Sequence, residues 1–219
     1  MTHTWTDSYP YNANSTFALH PMYLRLEELG TISDKAKREE FERLRRELNA
    51  LPTVDYERVN SAKTEYVRQV FATQGQKTMK SDEFKSFVDR NSHWLLPYAA
   101  FCALRDRFST PEFDKWGEFA VFSDKVLKKV LRENKEATDM AMYIQFHLDR
   151  QMRAVHDYAN ARGVALKGDI PIGISRTSAD AWVNPSLFYL DCQAGAPPDD
   201  FSILGQNWGL PTYNWEVMN

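Results

Sequence analysis

Cysteine is nearly missing from this 219-residue chain: Cys102 and Cys192 are the two it has, far apart and in segments of different character. Two such residues supply neither a disulfide framework nor a zinc ligand set, and a reducing, cytoplasmic compartment is expected. An excess of one charge is lacking too. The 27 Lys and Arg against 30 Asp and Glu leave a formal charge of −3, so there is no net pull toward nucleic acid or an anionic membrane, and neither is expected as a partner. No apolar run approaches the ~18–20 residues of a spanning helix, and the N-terminus lacks the charged-then-apolar layout of a secretion signal. Without that signal, Asn14-Ser15-Thr16 reads as a chance glycosylation match. The five histidines show no ligand spacing: His147 and His156 sit about 180° apart on one helix and cannot share a metal there. A Gly-x-Ser-x-Gly elbow and a phosphate-cradling glycine loop are also missing. Neither a metal nor a cofactor is expected.

What is present is an ordinary globular balance, 43% hydrophobic and 26% charged, enough for one domain or for part of a larger one. Aromatic residues make up 13% and gather at the two ends: Tyr9, Tyr11, Phe17 and Tyr23, then Trp208, Tyr213 and Trp215. Trp5, Trp94 and Trp116 are assigned to packing. Between the ends the chain reads as helices. A short one runs from Pro21 and stops at Gly30. Ser33 caps the next, where Phe41, Leu44 and Leu48 share a side and Asp34–Arg38, Glu39–Arg43 and Glu42–Arg46 are spaced as i,i+4 pairs. The charge run from Lys37 to Glu47 is then a solvated face. Asp55 caps a helix that fades at Gly75, and Ser81 opens another. Residues 92–107 read as a separate buried helix capped by Ser92, with Pro97 in its first turns. Ser123 or Asp124 starts a further helix. From about Glu136 a long one carries Met140, Ile144, Leu148, Met152, Val155 and Ala159 along one apolar stripe as far as Gly163.

After Gly163 the pattern changes. Val164–Pro171 is short and β-compatible with turn residues at its end, and a long helix, one glycine and a buried strand ending in a carboxylate is how one α/β unit of a barrel reads. Asp169 is expected at that strand's C-terminal end. Thr177 or Ser178 then caps a short helix through Trp182, closed by Pro185. The last fifty residues crowd Gly168-Asp169-Ile170-Pro171, Ala196-Pro197-Pro198-Asp199-Asp200-Phe201 and Gly205-Gln206-Asn207-Trp208-Gly209 into what is largely loop. Carboxylates, amides and aromatic rings on glycine- and proline-rich backbone suit a site that grips a polar ligand with flat apolar faces. Gly205 and Gly209 flank Trp208 and favour a loop position, with the ring available for stacking.

These motifs, with Ser178-Ala179-Asp180-Ala181-Trp182-Val183-Asn184-Pro185 and the opening Asp7-Ser8-Tyr9-Pro10-Tyr11-Asn12, resemble the 4-alpha-glucanotransferases, or amylomaltases. Leu210-Pro211-Thr212-Tyr213-Asn214-Trp215 is most similar to the plant cytosolic disproportionating type and its bacterial relatives. The resemblance spans nearly the whole chain, although residues 31–135 match only in general character. It implies a helix-rich α/β protein, part of a (β/α)8 TIM barrel with a helical insertion. Residues 1–30 would form a barrel loop and short helix, 31–135 the insertion, and 136–219 a barrel helix, a strand and active-site loops.

The activity implied is transfer of α-1,4-glucan segments between maltodextrin or glucan donors and acceptors by a retaining route, with an α-1,4-glucan or maltooligosaccharide as partner. Such chemistry needs one carboxylate as nucleophile and one as acid and base. The family carries these on an Arg-x-Asp-His motif and a later Glu, and neither matches within these 219 residues. The chain is therefore expected to be a fragment, truncated at both ends and inert alone. By the same resemblance Tyr11 matches the active-site tyrosine and Asp169 the supporting barrel aspartate, while Asp199, Asp200, Phe201, Gln206 and Trp208 match a loop bordering the glucan cleft. Asp200 departs from the usual aromatic there. The rival reading is a non-catalytic α-glucan-binding protein.

Overall fold

Helices form where the sequence offers a side-chain oxygen to the first-turn N–H groups and an apolar face to bury. The computed structural model describes residues 12–169 and 172–218. Two 3-10 turns, Pro21–Tyr23 and Leu26–Glu28, replace the expected short helix. Helix α1, Lys35–Asn49, is capped by Asp34 accepting from the Lys37 amide, one residue beyond the expected Ser33. The ion pairs on α1 also differ from those expected. Arg45 reaches Glu42 and Glu27, and Lys35 reaches Glu39.

Asp55 caps α2, Tyr56–Val70, as expected. Gly75 does not end the helical run. A π-helical turn, Phe71–Gly75, continues into α3, Gln76–Met79. An added Cβ at Gly75 would lie 2.4 Å from the Phe71 ring, so a larger residue there would have to displace that ring.

Ser81 caps α4, Asp82–Phe108, a single 27-residue helix with Pro97 inside it. The expected break at Ser92 is absent. An internal proline costs roughly 3 kcal/mol, but burial on both sides of Pro97 outweighs it: Phe84 and Phe87 pack edge-on against Phe146, and Leu95 through Arg105 lie almost entirely in the interior. Helix α4 ends on Ser109 at φ 54°, and Ser123 caps α5, Asp124–Glu133.

Helix α6, Lys135–Asn160, packs along α4 and forms the spine. Its Gln145 amide brackets Leu19, accepting from the backbone N–H and donating to the carbonyl, both at 2.9 Å. Gln151 does the same to Arg25, at 2.8 and 3.0 Å. The two amides thus hold residues 19–25 along α6 as a neighbouring strand would. Of the predicted stripe Leu148 is buried and Met140 and Ile144 are partly buried, whereas Met152 and Val155 are 49% and 54% exposed.

The largest core surrounds Trp116 and Trp182, whose rings meet edge to face at 5.6 Å. Each indole N–H has a backbone acceptor, Thr110 for Trp116 and Phe119 for Trp182. The assignment of Trp116 to packing holds, and Trp94 is partly buried against the same core. Trp5 lies outside the described residues.

The strand expected within 164–171 is not formed among its described residues, 164–169. Residues 164–169 are irregular and exposed, and 170–171 lie outside the described residues. A strand needs a partner for its ladder hydrogen bonds, and the ladders among the described residues are β1 with β4 and β2 with β3, neither of which includes 164–168. Beyond it come α7, Ala179–Val183, capped by Ser178, and α8, Trp215–Met218. Between them, β1 (Phe188–Tyr189) pairs antiparallel with β4 (Thr212–Tyr213), and β2 (Gly195–Ala196) with β3 (Gln206–Asn207).

Candidate functional site

The loop that β2 and β3 enclose carries most of the residues expected to bind ligand. Its base is fixed by backbone. Gly195 lies so close to β3 that an added Cβ would be 2.1 Å from the Gln206 carbonyl, so only glycine permits this pairing. The Ala194 carbonyl accepts from the Trp208 amide at 3.0 Å, and the Ala194 amide donates to the Leu210 carbonyl at 2.8 Å. Gly205 and Gly209, at φ 72° and 70°, supply the left-handed turns on either side of Gln206-Asn207-Trp208.

Within the loop, one oxygen of Asp199 accepts from the Phe201 and Ser202 amides at 2.9 and 2.7 Å. Asp199 is therefore a turn-former as well as an exposed carboxylate. The Ser202 hydroxyl donates to the Gly205 carbonyl at 2.7 Å and closes the tip. Trp208 donates its indole N–H to the Gln206 side-chain oxygen at 3.1 Å. That bond fixes the ring relative to β3 and leaves the Gln206 NH2 for a ligand. Trp208 is 41% exposed, whereas Phe201, Ile203 and Leu204 are 97%, 87% and 95% exposed. Asp200 is exposed beside them. Sequence reading picked out Phe201 but missed Ile203 and Leu204, although two more apolar residues in so polar a loop were a visible signal.

A second set of contacts ties this unit to the start of the described chain. The Tyr213 hydroxyl donates to the Ile172 carbonyl at 3.1 Å, and Leu210 packs against Gly173. Ile174 forms a parallel bridge with Ala13, and the Ala179 amide donates to the Asn14 carbonyl at 2.9 Å. Asp180 accepts from both the amide and the hydroxyl of Thr16. Residues 12–16 and 172–180 thus form one floor beside the β-paired loops. Asp169 is exposed at the end of the irregular 164–169 stretch, three residues before Ile172. Tyr11 lies outside the described residues. Tyr213, which burial pushes above the usual phenol range with Asp180 adding to it, and Trp215, 5.1 Å away ring to ring, are further aromatic groups at this edge. Among the described residues no three His, Cys, Asp or Glu side chains come together as a metal site.

The arrangement offers flat rings, amides and carboxylates on an exposed rim, which is the equipment for holding a polyhydroxylated ligand by stacking and hydrogen bonds. The sequence pattern of a family described as 4-alpha-glucanotransferase matches residues 1–219. The 4-alpha-glucanotransferase DPE2 of Oryza sativa subsp. japonica is 44% identical over 98% of this chain and 23% of its own length. The 4-alpha-glucanotransferase of Chlamydia caviae is 33% identical over 95% of this chain and 39% of its own. Among solved structures, the amylomaltase from Streptococcus agalactiae in complex with acarbose superposes with a TM-score of 0.82 at 25% identity, over 98% of this chain and 44% of that one. Amylomaltase from Corynebacterium glutamicum shares the fold, with a TM-score of 0.72 at 24% identity, over 94% of this chain and 28% of that one. The chain therefore spans less than half the length of each of these relatives.

Proposed function

The chain belongs to the 4-alpha-glucanotransferase family, and from that premise we propose that it is part of the catalytic unit of an enzyme that moves α-1,4-glucan segments between maltodextrins. In this reading residues 1–30 and 136–219 belong to an incomplete (β/α)8 barrel and 31–135 to a helical insertion. The observation that carries it is the single loop unit in which Asp199, Asp200, Phe201, Gln206 and Trp208 are presented together on backbone that only Gly195 allows to close. Trp208 stacks on the apolar face of a glucose unit, while Gln206 and the two carboxylates take its hydroxyl groups. Asp169 and Tyr11 support the unit under attack, through charge and hydrogen bonding and as a ring beneath the sugar. That the Streptococcus agalactiae amylomaltase was solved with acarbose, a maltooligosaccharide analogue, favours the same ligand class here.

Transfer with retention takes two displacements. A carboxylate attacks the anomeric carbon while an acid protonates the leaving oxygen; the acceptor hydroxyl, deprotonated by the same group, then displaces the enzyme. We assign both reacting carboxylates to parts of the relatives that this sequence does not span, since no Arg-x-Asp-His occurs in it. The exposed face of α6 beyond Leu148, with Val164 and Leu166, is where the remainder of the barrel packs.

The expected result is that the purified 219-residue chain binds maltoheptaose but does not disproportionate maltotriose. Trp208→Ala should weaken that binding by about tenfold or more with the fold intact. Glucose and maltopentaose appearing from maltotriose would refute the division of labour. Unchanged binding after Trp208→Ala would refute the site.

A further inference from the structure

The floor beside the β-paired loops is joined at Ala13, Asn14 and Thr16. The Ser175 amide donates to the Ala13 carbonyl at 2.8 Å and the Ala179 amide to the Asn14 carbonyl at 2.9 Å. Those are backbone bonds and do not depend on the side chains at either end. At Thr16 both bonds end on one side chain: Asp180 accepts from the Thr16 amide at 3.1 Å and from its hydroxyl at 2.8 Å. A carboxylate that takes two donors of one residue, one on each oxygen, fixes that residue's orientation as well as its distance. Asp180 is not needed to cap its own helix. Ser178 caps α7, accepting from the Ala181 amide at 3.0 Å.

What lies on either side of this clamp indicates what it serves. On one side α7 is anchored in the helical core: Trp182, two residues on from Asp180, is 1% exposed, meets Trp116 at 5.6 Å and donates its indole N–H to the Phe119 carbonyl at 3.0 Å. On the other side the chain turns after Thr16, where the Ser15 hydroxyl oxygen accepts from the Phe17 and Ala18 amides at 3.2 and 3.1 Å. Upstream of Thr16 it runs back through Ala13, bridged to Ile174, to Asn12, which directly follows Tyr11 in sequence. Asp180 therefore transmits the position of the helical core to the stretch that leads into the residue assigned beneath the sugar. Misplacing such a group by about 1 Å can cost ~100-fold where a ligand must be oriented, so this clamp acts on the ligand more than on the fold.

We propose that Asp180 is a positioning residue of the glucan cleft: through Thr16 it registers residues 12–16 on α7 and so sets where Tyr11 meets the sugar. The role rests on the glucanotransferase reading, which Trp208→Ala tests separately. The measurement is a calorimetric titration of the 219-residue chain and its variants with maltoheptaose. The expected result is a dissociation constant raised about tenfold by Asp180→Ala and about threefold by Thr16→Val, which removes only the hydroxyl donor. Asp180→Asn should stay within about twofold of the unsubstituted chain, because its amide oxygen accepts from the Thr16 N–H and its NH2 donates to the hydroxyl oxygen. In a Tyr11→Ala background Asp180→Ala should add less than about twofold, since the group it positions is gone. Cooperative melting shows that each variant is folded, and Thr16→Val, at an exposed position, carries the same comparisons if Asp180→Ala is not. A full tenfold loss on top of Tyr11→Ala, or Asp180→Asn as weak as Asp180→Ala, would overturn the proposal in favour of a carboxylate that contacts the sugar itself. An affinity unmoved by Asp180→Ala but weakened by Trp208→Ala would overturn it and leave the cleft standing. No binding of maltoheptaose by the unsubstituted chain would remove the cleft and this role together.

Discussion

Residues 35–148 and residues 149–218 place their apolar side chains in opposite ways. In the first region Phe101, Leu104, Trp116, Val130 and Tyr143 are 0–1% exposed, around helices that cover one another. In the second, Trp182 and Ile174 are buried at the join, but Met152, Val155, Ile172, Phe201, Ile203 and Leu204 stand in solvent and the strands are two residues long. One region is organised as a scaffold whose cores are completed by Leu24, Leu26, Leu29 and Ile32 on one side and by Trp182 on the other. The other holds its shape by backbone pairing, Asx turns and glycine geometry, and presents side chains to something else.

The comparison can be broken first at the join. Trp182→Ala removes a 1%-exposed ring together with its hydrogen bond to Phe119, and should cost about 3–5 kcal/mol in denaturant unfolding. Loss of less than about 1 kcal/mol would mean that the scaffold does not depend on this core.

Acid should act on the scaffold next. Burial, with Arg150 adding to it, lowers His147 from 6.5 to about 4. The unfolded chain therefore takes the proton before the folded one does, so this contribution to stability is complete above pH 6.5. It should fall by about 3 kcal/mol as the pH drops to about 4. Among the described residues the buried His147 Nε2 and Tyr143 hydroxyl have no hydrogen-bond partner. Melting temperatures from pH 7 to 4, compared with those of His147→Phe, test this; the variant should lose that part of the slope.

Gln145→Ala should cost about 2–3 kcal/mol, because it strips a partner from both backbone groups of Leu19 at once. The smallest effect belongs to the other region. Phe201→Ser, at 97% exposure, should shift stability by less than about 0.5 kcal/mol. A larger loss would show that the loop tip is packed in solution.

What the sequence made legible follows from the range of each interaction. Caps at Asp55, Ser81, Ser123 and Ser178 act over three residues and are readable from local pattern alone. The cap at Asp34 was displaced by one, since Ser33 and Asp34 are both able to accept and only the fold selects between them. The continuity of α4 through Pro97 was hidden, because the burial that offsets the proline comes from α6, some fifty residues on. The Gln145 and Gln151 brackets join residues 126 apart and left no local trace.

The candidate site was more visible. Gly195, Gly205, Gly209 and the prolines mark a loop that must bend sharply, and the polar and aromatic residues among them have no core to enter. The strand expected within 164–171 was the opposite case: its β-compatible residues are local, but the strand that would pair with it is not among the described residues.

The most direct test of the two-region account is amide hydrogen exchange on the 219-residue chain, with and without saturating maltoheptaose. The account predicts that α4 and α6 up to Leu148 exchange slowest in both states, and that residues 193–209 exchange fast alone and slow on addition of the sugar. Equal protection of both regions in the free chain, or loop amides that ignore the sugar, would contradict it.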